Sequence, residues 1–145
     1  MMFLRAFAVV FFSFFVGAGI GWAQVGEATF PTNQGIYAIN PVVSTTTETS
    51  HVISTTPANL YSIYFTNTAA TAGFLMVFDS ATVPGDGAVT PKICVNVAAN
   101  ATVSVSYNPG PMSQFTTGVS AAASTTGCAT KTTGATTGFF SGSVK

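Results

Sequence analysis

Period-two alternation of apolar and polar side chains is the dominant pattern in this chain, and it is strongest between residues 73 and 107. Phe74-Leu75-Met76-Val77-Phe78 is a continuous apolar run bounded by turns, which fits a strand covered on both faces. Ile93, Val95 and Val97 alternate with Cys94, Asn96 and Ala98, and Val103, Val105 and Tyr107 alternate with Thr102, Ser104 and Ser106. Ala99-Asn100 lies between these two runs, so they predict a hairpin with a two-residue turn. Asn108-Pro109-Gly110-Pro111 then breaks structure, as does Pro84-Gly85-Asp86-Gly87 before them.

Outside this block the pattern weakens in both directions. Tyr61, Ile63 and Phe65 alternate with Ser62, Tyr64 and Thr66, the signature of a half-buried strand. Ser50-His51-Val52-Ile53-Ser54 reads as a strand, and Ile36-Tyr37-Ala38-Ile39 as a short one closed by Asn40-Pro41. Residues 42–56 are dominated by Ser and Thr, which predicts an arm or edge strands rather than core. Val119, Ala121 and Ala123 make a weak strand, and residues 139–144 a closing one. No stretch of ten residues has helical periodicity with caps. Six to eight short strands at this spacing predict an all-β fold, a small antiparallel β-sandwich of jelly-roll or Ig-like type.

The N-terminus has a different pattern. Arg5 precedes a nearly pure apolar run from Ala6 to Ile20, and Gly21-Trp22-Ala23 supplies small residues at the first and third positions. This is the layout of a secretory signal peptide cleaved after Ala23. The alternative is an uncleaved anchor, for which the 18 residues 6–23 are short. The expected organisation is a signal peptide over 1–23, a Thr/Ser-rich arm with edge strands over 24–59, and a β-sandwich over 60–145. The product would be secreted, extracellular or periplasmic, with no membrane contact after cleavage.

Charge narrows the function. After residue 23 only Lys92, Lys131 and Lys145 stand against Glu27, Glu48, Asp79 and Asp86. Three lysines without arginine neutralise few phosphates, so nucleic acid is not an expected partner. The surface must then be covered by hydroxyls and amides. Such a surface suits extracellular β proteins or faces that pack against copies of themselves, so protein partners or self-association are expected. The unalternated run at 74–78 needs a cover on its second face: a loop, another subunit or, the preferred reading, the N-terminal arm.

Cys94 and Cys128 are the only cysteines. In an exported chain they predict a disulfide closing a loop of about 35 residues, worth about 4 kcal/mol. The competing reading, a free or metal-binding thiol pair, has too few ligands for structural zinc. If Ile93, Val95 and Val97 face the core, Cys94 faces away, and the bridge ties its strand to a covering segment.

Other chemistry is thin. His51 is the only histidine, and a hydrolase would need it with Asp79 or Asp86 and a serine. There is no Gly-x-Ser-x-Gly elbow. Glu27 and Glu48 have no visible carboxylate partner for glycoside hydrolysis. Asp79 and Asp86 flank one loop that could offer oxygens to calcium, or else end a strand and make a turn. No catalytic residue, cofactor or resident metal is expected, and the chain reads as a non-enzyme.

One stretch has a likeness. The pieces are Ala72-Gly73-Phe74-Leu75-Met76-Val77-Phe78-Asp79, Asp86-Gly87-Ala88-Val89-Thr90-Pro91-Lys92, Cys94, Ala98-Ala99-Asn100, Phe115-Thr116-Thr117-Gly118 and Ser124-Thr125-Thr126-Gly127-Cys128-Ala129-Thr130-Lys131-Thr132. This pattern, over somewhat under half of the chain, resembles small β-rich virion-type proteins encoded in phage and prophage structural regions, notably of alphaproteobacteria. The resemblance implies a β-sandwich in a particle or surface assembly, and no catalytic residues. The signal peptide departs from it, because virion components normally assemble in the cytoplasm. A secreted structural or adhesive protein is the resulting expectation, and an extracellular or periplasmic module binding a small ligand or glycan is the alternative.

Overall fold

The computed structural model describes residues 39–106, 110–111 and 113–145. These belong to the compact unit Ala38–Lys145. The expected signal peptide, Glu27 and residues 36–38 of the expected first strand lie outside the described residues.

Among the described residues there is no helix, and the strands pair antiparallel throughout. The first sheet contains β1 (Asn40–Val43), β11 (Gly138–Val144), β3 (Ala58–Asn67) and β7 (Thr102–Ser106) in that order, with β8 (Ser113–Phe115) also paired to β3. The second has the order β2 (Ser50–Ser54), β9 (Val119–Ser124), β4 (Gly73–Asp79), β6 (Ile93–Val97). A small ribbon joins β5 (Gly87–Ala88) to β10 (Thr130–Lys131).

The two sheets enclose one main core. Leu60, Ile63, Phe65, Phe140 and Val144 come from the first sheet, and Ile53, Leu75, Val77, Val97, Val119, Ala121 and Ala123 from strands of the second. Phe65 and Phe140 meet at 4.6 Å between ring centroids. Asn40-Pro41, expected to close a strand, lies inside β1 instead, at a sheet edge where proline is tolerated. β1 and β2 are edge strands, yet Ile53 of β2 reaches the core.

Three expectations need correction. Tyr61 does not share the buried face of Ile63 and Phe65. The register shifts between Ser143 and Val144, so Val144 pairs with Leu60, and Leu60 is the buried side chain. Secondly, among the described residues Met76 and Phe78 are covered by the chain's own loop and not by residues 39–59 of the arm. They pack with Ala122 under Val83, Val89 and Cys94, while Leu75 and Val77 face the main core.

The third correction is topological. The runs at 93–97 and 102–106 are strands, but they do not pair as a hairpin. β6 pairs with β4 in the second sheet and β7 with β3 in the first, so the turn arches between sheets. Asn67 holds the arch. Its fully buried amide donates to the carbonyls of Thr71 (2.9 Å) and Ala98 (3.0 Å), and its Oδ1 accepts from Ala69 N (3.0 Å). Its own N–H donates to Ala101 O at 2.8 Å. The turn is thus held to the end of β3, and Asn100 turns the corner at φ 52°.

Candidate functional site

The charged side chains of the loops are engaged in two separate clasps. Asp79 ends β4 and accepts from Thr117 N (2.8 Å), Thr116 N (2.9 Å) and Thr116 Oγ1 (3.0 Å). Lys92 Nζ stands 3.1 Å from the same carboxylate. The Thr117 and Thr116 backbone donors, followed by Lys92, hold its carboxyl well below the ordinary carboxylate range. Lys92 also donates to the Gln114 carbonyl and sits 4.8 Å from the Phe115 ring centre. This clasp fastens the segment between β8 and β9 to the end of β4.

Two shallow clefts flank it. One, of about 360 Å³, lies among Pro57, Asn59, Gln114, Phe115 and Thr116. The other, of about 290 Å³, lies among Phe78, Asp79, Pro84, Val89 and Lys92.

Asp86 forms the second clasp. Its carboxylate accepts from Lys131 Nζ (2.6 Å), Thr133 Oγ1 (2.7 Å) and Thr133 N (2.9 Å). Lys131 and Thr133 lower its carboxyl to about 2. Beside this clasp Cys94 and Cys128 form a disulfide, with Cα atoms 5.8 Å apart. Both sulfurs are therefore committed, which removes the thiol-ligand reading. The bridge leaves the face of β6 opposite the main core, as the alternation of 93–97 predicts. It ties that strand to the segment after β9.

The structure does not bring Asp79 and Asp86 together as a calcium loop. Each carboxylate is occupied by N–H, hydroxyl and ammonium donors, and calcium would have to displace them to gather six or more oxygens. Among the described residues no three His, Cys, Asp or Glu side chains converge.

His51 is placed elsewhere. Its Nδ1 is 2.7 Å from Glu48 Oε1, its ring stacks at 6.4 Å from Phe140, and its buried Nε2 has no hydrogen-bond partner. The hydrolase constellation is therefore not assembled. Both aspartates are engaged in the clasps, and no hydroxyl is poised on Nε2.

The outer face of the first sheet has a different character. Register places Pro41, Ser143, Ser62 and Ser106 in one row across it. Val43, Ser141, Tyr64 and Ser104 form the next, then Phe139, Thr66 and Thr102. Thr66 and Thr102 hydroxyls meet at 2.9 Å. These three rows carry no charged side chain, and exposed Lys145, paired with Asn59, follows in the next row. Three exposed large hydrophobic side chains, Val43 (56%), Tyr64 (44%) and Phe139 (41%), lie on the three rows, and the fourth, Ile39 (45%), adjoins β1.

The chain matches no family model, no curated protein and no solved structure.

This outer face is the feature that strand-by-strand reading misses. The alternation at 102–106 shows that one side of β7 is all Ser and Thr, but only the register aligns it with Tyr64 and Phe139. The second sheet has no equivalent, because residues 80–91 and the segment after β9 cover its outer side.

Proposed function

We propose that the chain is a non-enzymatic structural or adhesive β-sandwich, working in a cell-surface or virion-like assembly through contact with protein partners. The single observation that carries this reading is the outer face of the first sheet, three rows of which carry no charged side chain. It bears exposed aromatic and aliphatic side chains, while the loop carboxylates and two lysines are engaged in holding the fold. An exposed apolar patch on a small domain marks an interaction surface. The disulfide is compatible with an oxidising compartment, and no described helix is long and apolar enough to cross a membrane. Export from the cytoplasm supplies that compartment in this reading.

The test is to follow the native protein. Cells, soluble supernatant and sedimentable particles are separated with and without prophage induction, and the chain and its N-terminus are read by mass spectrometry. Recovery with particles or envelope assemblies is expected. A chain found only as a soluble monomer would remove the reading.

A second reading, an extracellular module for a small ligand or glycan, draws on the cleft of about 360 Å³ beside Phe115. Saturable binding on a glycan array, lost in Phe115→Ala, would favour it.

A further inference from the structure

We propose that the Cys94–Cys128 bridge is a redox-released latch: its reduction opens the layer over the second sheet and bares Met76 and Phe78, while the sandwich beneath stays folded. The latch goes beyond the assembly reading and does not depend on it.

The covering layer consists of residues 80–91 and 125–133, and it stands apart from the main core. None of the buried or partly buried residues of that core comes from either stretch. Val83 and Val89 lie over Met76, Phe78 and Ala122, and both valines are part-exposed. Apolar stabilisation scales with the area taken out of water, so two such valines hold a cover weakly.

Most of the polar fastening holds the layer to itself. β5 and β10 pair over two residues each, and the Asp86–Lys131 clasp joins the same two stretches. Val89 N–H, donated to Ala129 O, does the same. To the second sheet the layer is tied by Ser120 Oγ, which donates to Thr82 O at 3.1 Å, and by Ser124 Oγ, which accepts from Thr132 N at 3.0 Å. The Asp79 clasp holds the foot of the loop over 80–91. The disulfide is the covalent cross-tie, from β6 to the segment after β9.

That cross-tie is open to attack. Cys128 lies in a run of exposed residues, 125–130, whereas Cys94 is partly buried against the apolar cluster. An incoming thiolate therefore meets the Cys128 sulfur, and exposed bridges are the labile ones. With a small dithiol as reductant, its first sulfur bonds to Cys128 Sγ. The Cys94 sulfur leaves with the electron pair and takes a proton. The second sulfur of the dithiol then bonds to the first, and Cys128 leaves as a thiolate and is protonated. The protein gains two hydrogens and the dithiol becomes a cyclic disulfide. Closed, the latch keeps a second apolar strip out of water in an oxidising compartment. Open, Met76 and Phe78 of the central strand β4 face solvent.

The experiment adds dithiothreitol, without denaturant, to the folded protein isolated from its producing cells. Intact mass should show two added hydrogens, and a cooperative thermal transition should persist at a lower midpoint. Trypsin cleaves after lysine, and the Lys131 side chain is 5% exposed in the closed layer. Cleavage after Lys131 should become faster on the order of tenfold once the bridge is open. Cys94→Ala/Cys128→Ala carries the open state without thiols. In that variant dilute peroxide should convert Met76 to its sulfoxide, whereas fully buried Met76 of the parent is spared. A bridge that yields only after denaturant is added overturns the proposal. So does a reduced protein that cleaves at Lys131 no faster than the oxidised one. Loss of the thermal transition on reduction overturns it as well, because the bridge would then staple the whole sandwich. Should the double variant lack a thermal transition, cleavage of the reduced parent decides alone.

Discussion

Lys131 Nζ lies 2.6 Å from the Asp86 carboxylate, and the two residues face water unequally: the lysine side chain is 5% exposed and the aspartate 47%. A withdrawn ammonium depends on its partner, because an unpaired buried charge is costly. A half-exposed carboxylate is solvated whether or not the lysine is there. Asp86→Ala should therefore lower the thermal midpoint more than Lys131→Met, although each removes the same ion pair. Thermal melts of the two variants decide it, and equal losses would mean that the lysine is not withdrawn in solution.

Acid should weaken the fold through the two clasps. Both carboxyls are lowered from an ordinary 3.8, Asp86 to about 2 and Asp79 further. A carboxyl lowered in the folded state stabilises it fully above the unfolded value and loses that contribution as pH falls through the folded one. The thermal midpoint should hold above the ordinary value and fall as pH drops from 3.8 toward 2. Asp79→Asn should flatten that fall. A midpoint that does not change across this window would show that neither clasp persists in solution.

Asn67 should be the polar residue least tolerant of change. Its side chain makes three hydrogen bonds in full burial, each worth on the order of 1 kcal/mol. Asn67→Leu should cost about 3 kcal/mol, measured by urea unfolding. It should also release the arch at 98–101, seen as faster amide exchange at Asn100, whose N–H is held by Ala69 O. A loss below about 0.5 kcal/mol would mean that the strand pairing alone sets the arch.

How far these features were legible differs from residue to residue. Alternation located the strands over 60–67, 93–97 and 102–106, because a half-buried strand writes its two faces into the sequence, and a continuous apolar run located 74–78. Alternation also placed Cys94 on the face away from the main core. Pairing was not legible. Two adjacent alternating runs look like a hairpin, but they pair with β4 and β3 in different sheets, and Asn67 holds the arch between them. β9 was undervalued, since alanines have low strand propensity. Its six residues are all buried, because a central strand covered on both sides needs small side chains there. Thr116 in the Asp79 clasp and Lys131 in the Asp86 clasp lie 37 and 45 residues away, beyond any local pattern.

Gly142 makes room for Ile53 of the opposing sheet. A Cβ at this glycine would stand 2.8 Å from Ile53 Cδ1 and 2.9 Å from its Cγ2. Gly142→Ala should therefore destabilise by about 1–3 kcal/mol as overpacking, despite the better strand propensity of alanine. Ile53→Ala alone opens a cavity and should cost about 2–5 kcal/mol. The double variant should cost less than the two together, because the new methyl occupies part of the space that Ile53 vacates. Strict additivity in a double-mutant cycle would show that the two side chains do not meet.

The disulfide should protect one layer more than the whole. It joins β6 to the segment after β9, above Met76 and Phe78, and stands apart from the main core between the sheets. Closing a loop of 34 residues contributes about 4 kcal/mol through the unfolded chain, so reduction should lower global stability by about that amount. The folded protein should respond unevenly. Val89 N–H, held by Ala129 O at 3.1 Å across the covering layer, should exchange much faster once the bridge is open. Amides between β3 and β11, on the far side of the main core, should keep their order of protection. Native-state hydrogen exchange on oxidised and reduced protein separates the outcomes. Equal acceleration at both places would mean that the covering layer is part of one cooperative unit with the sandwich, and that the bridge acts only through the unfolded state.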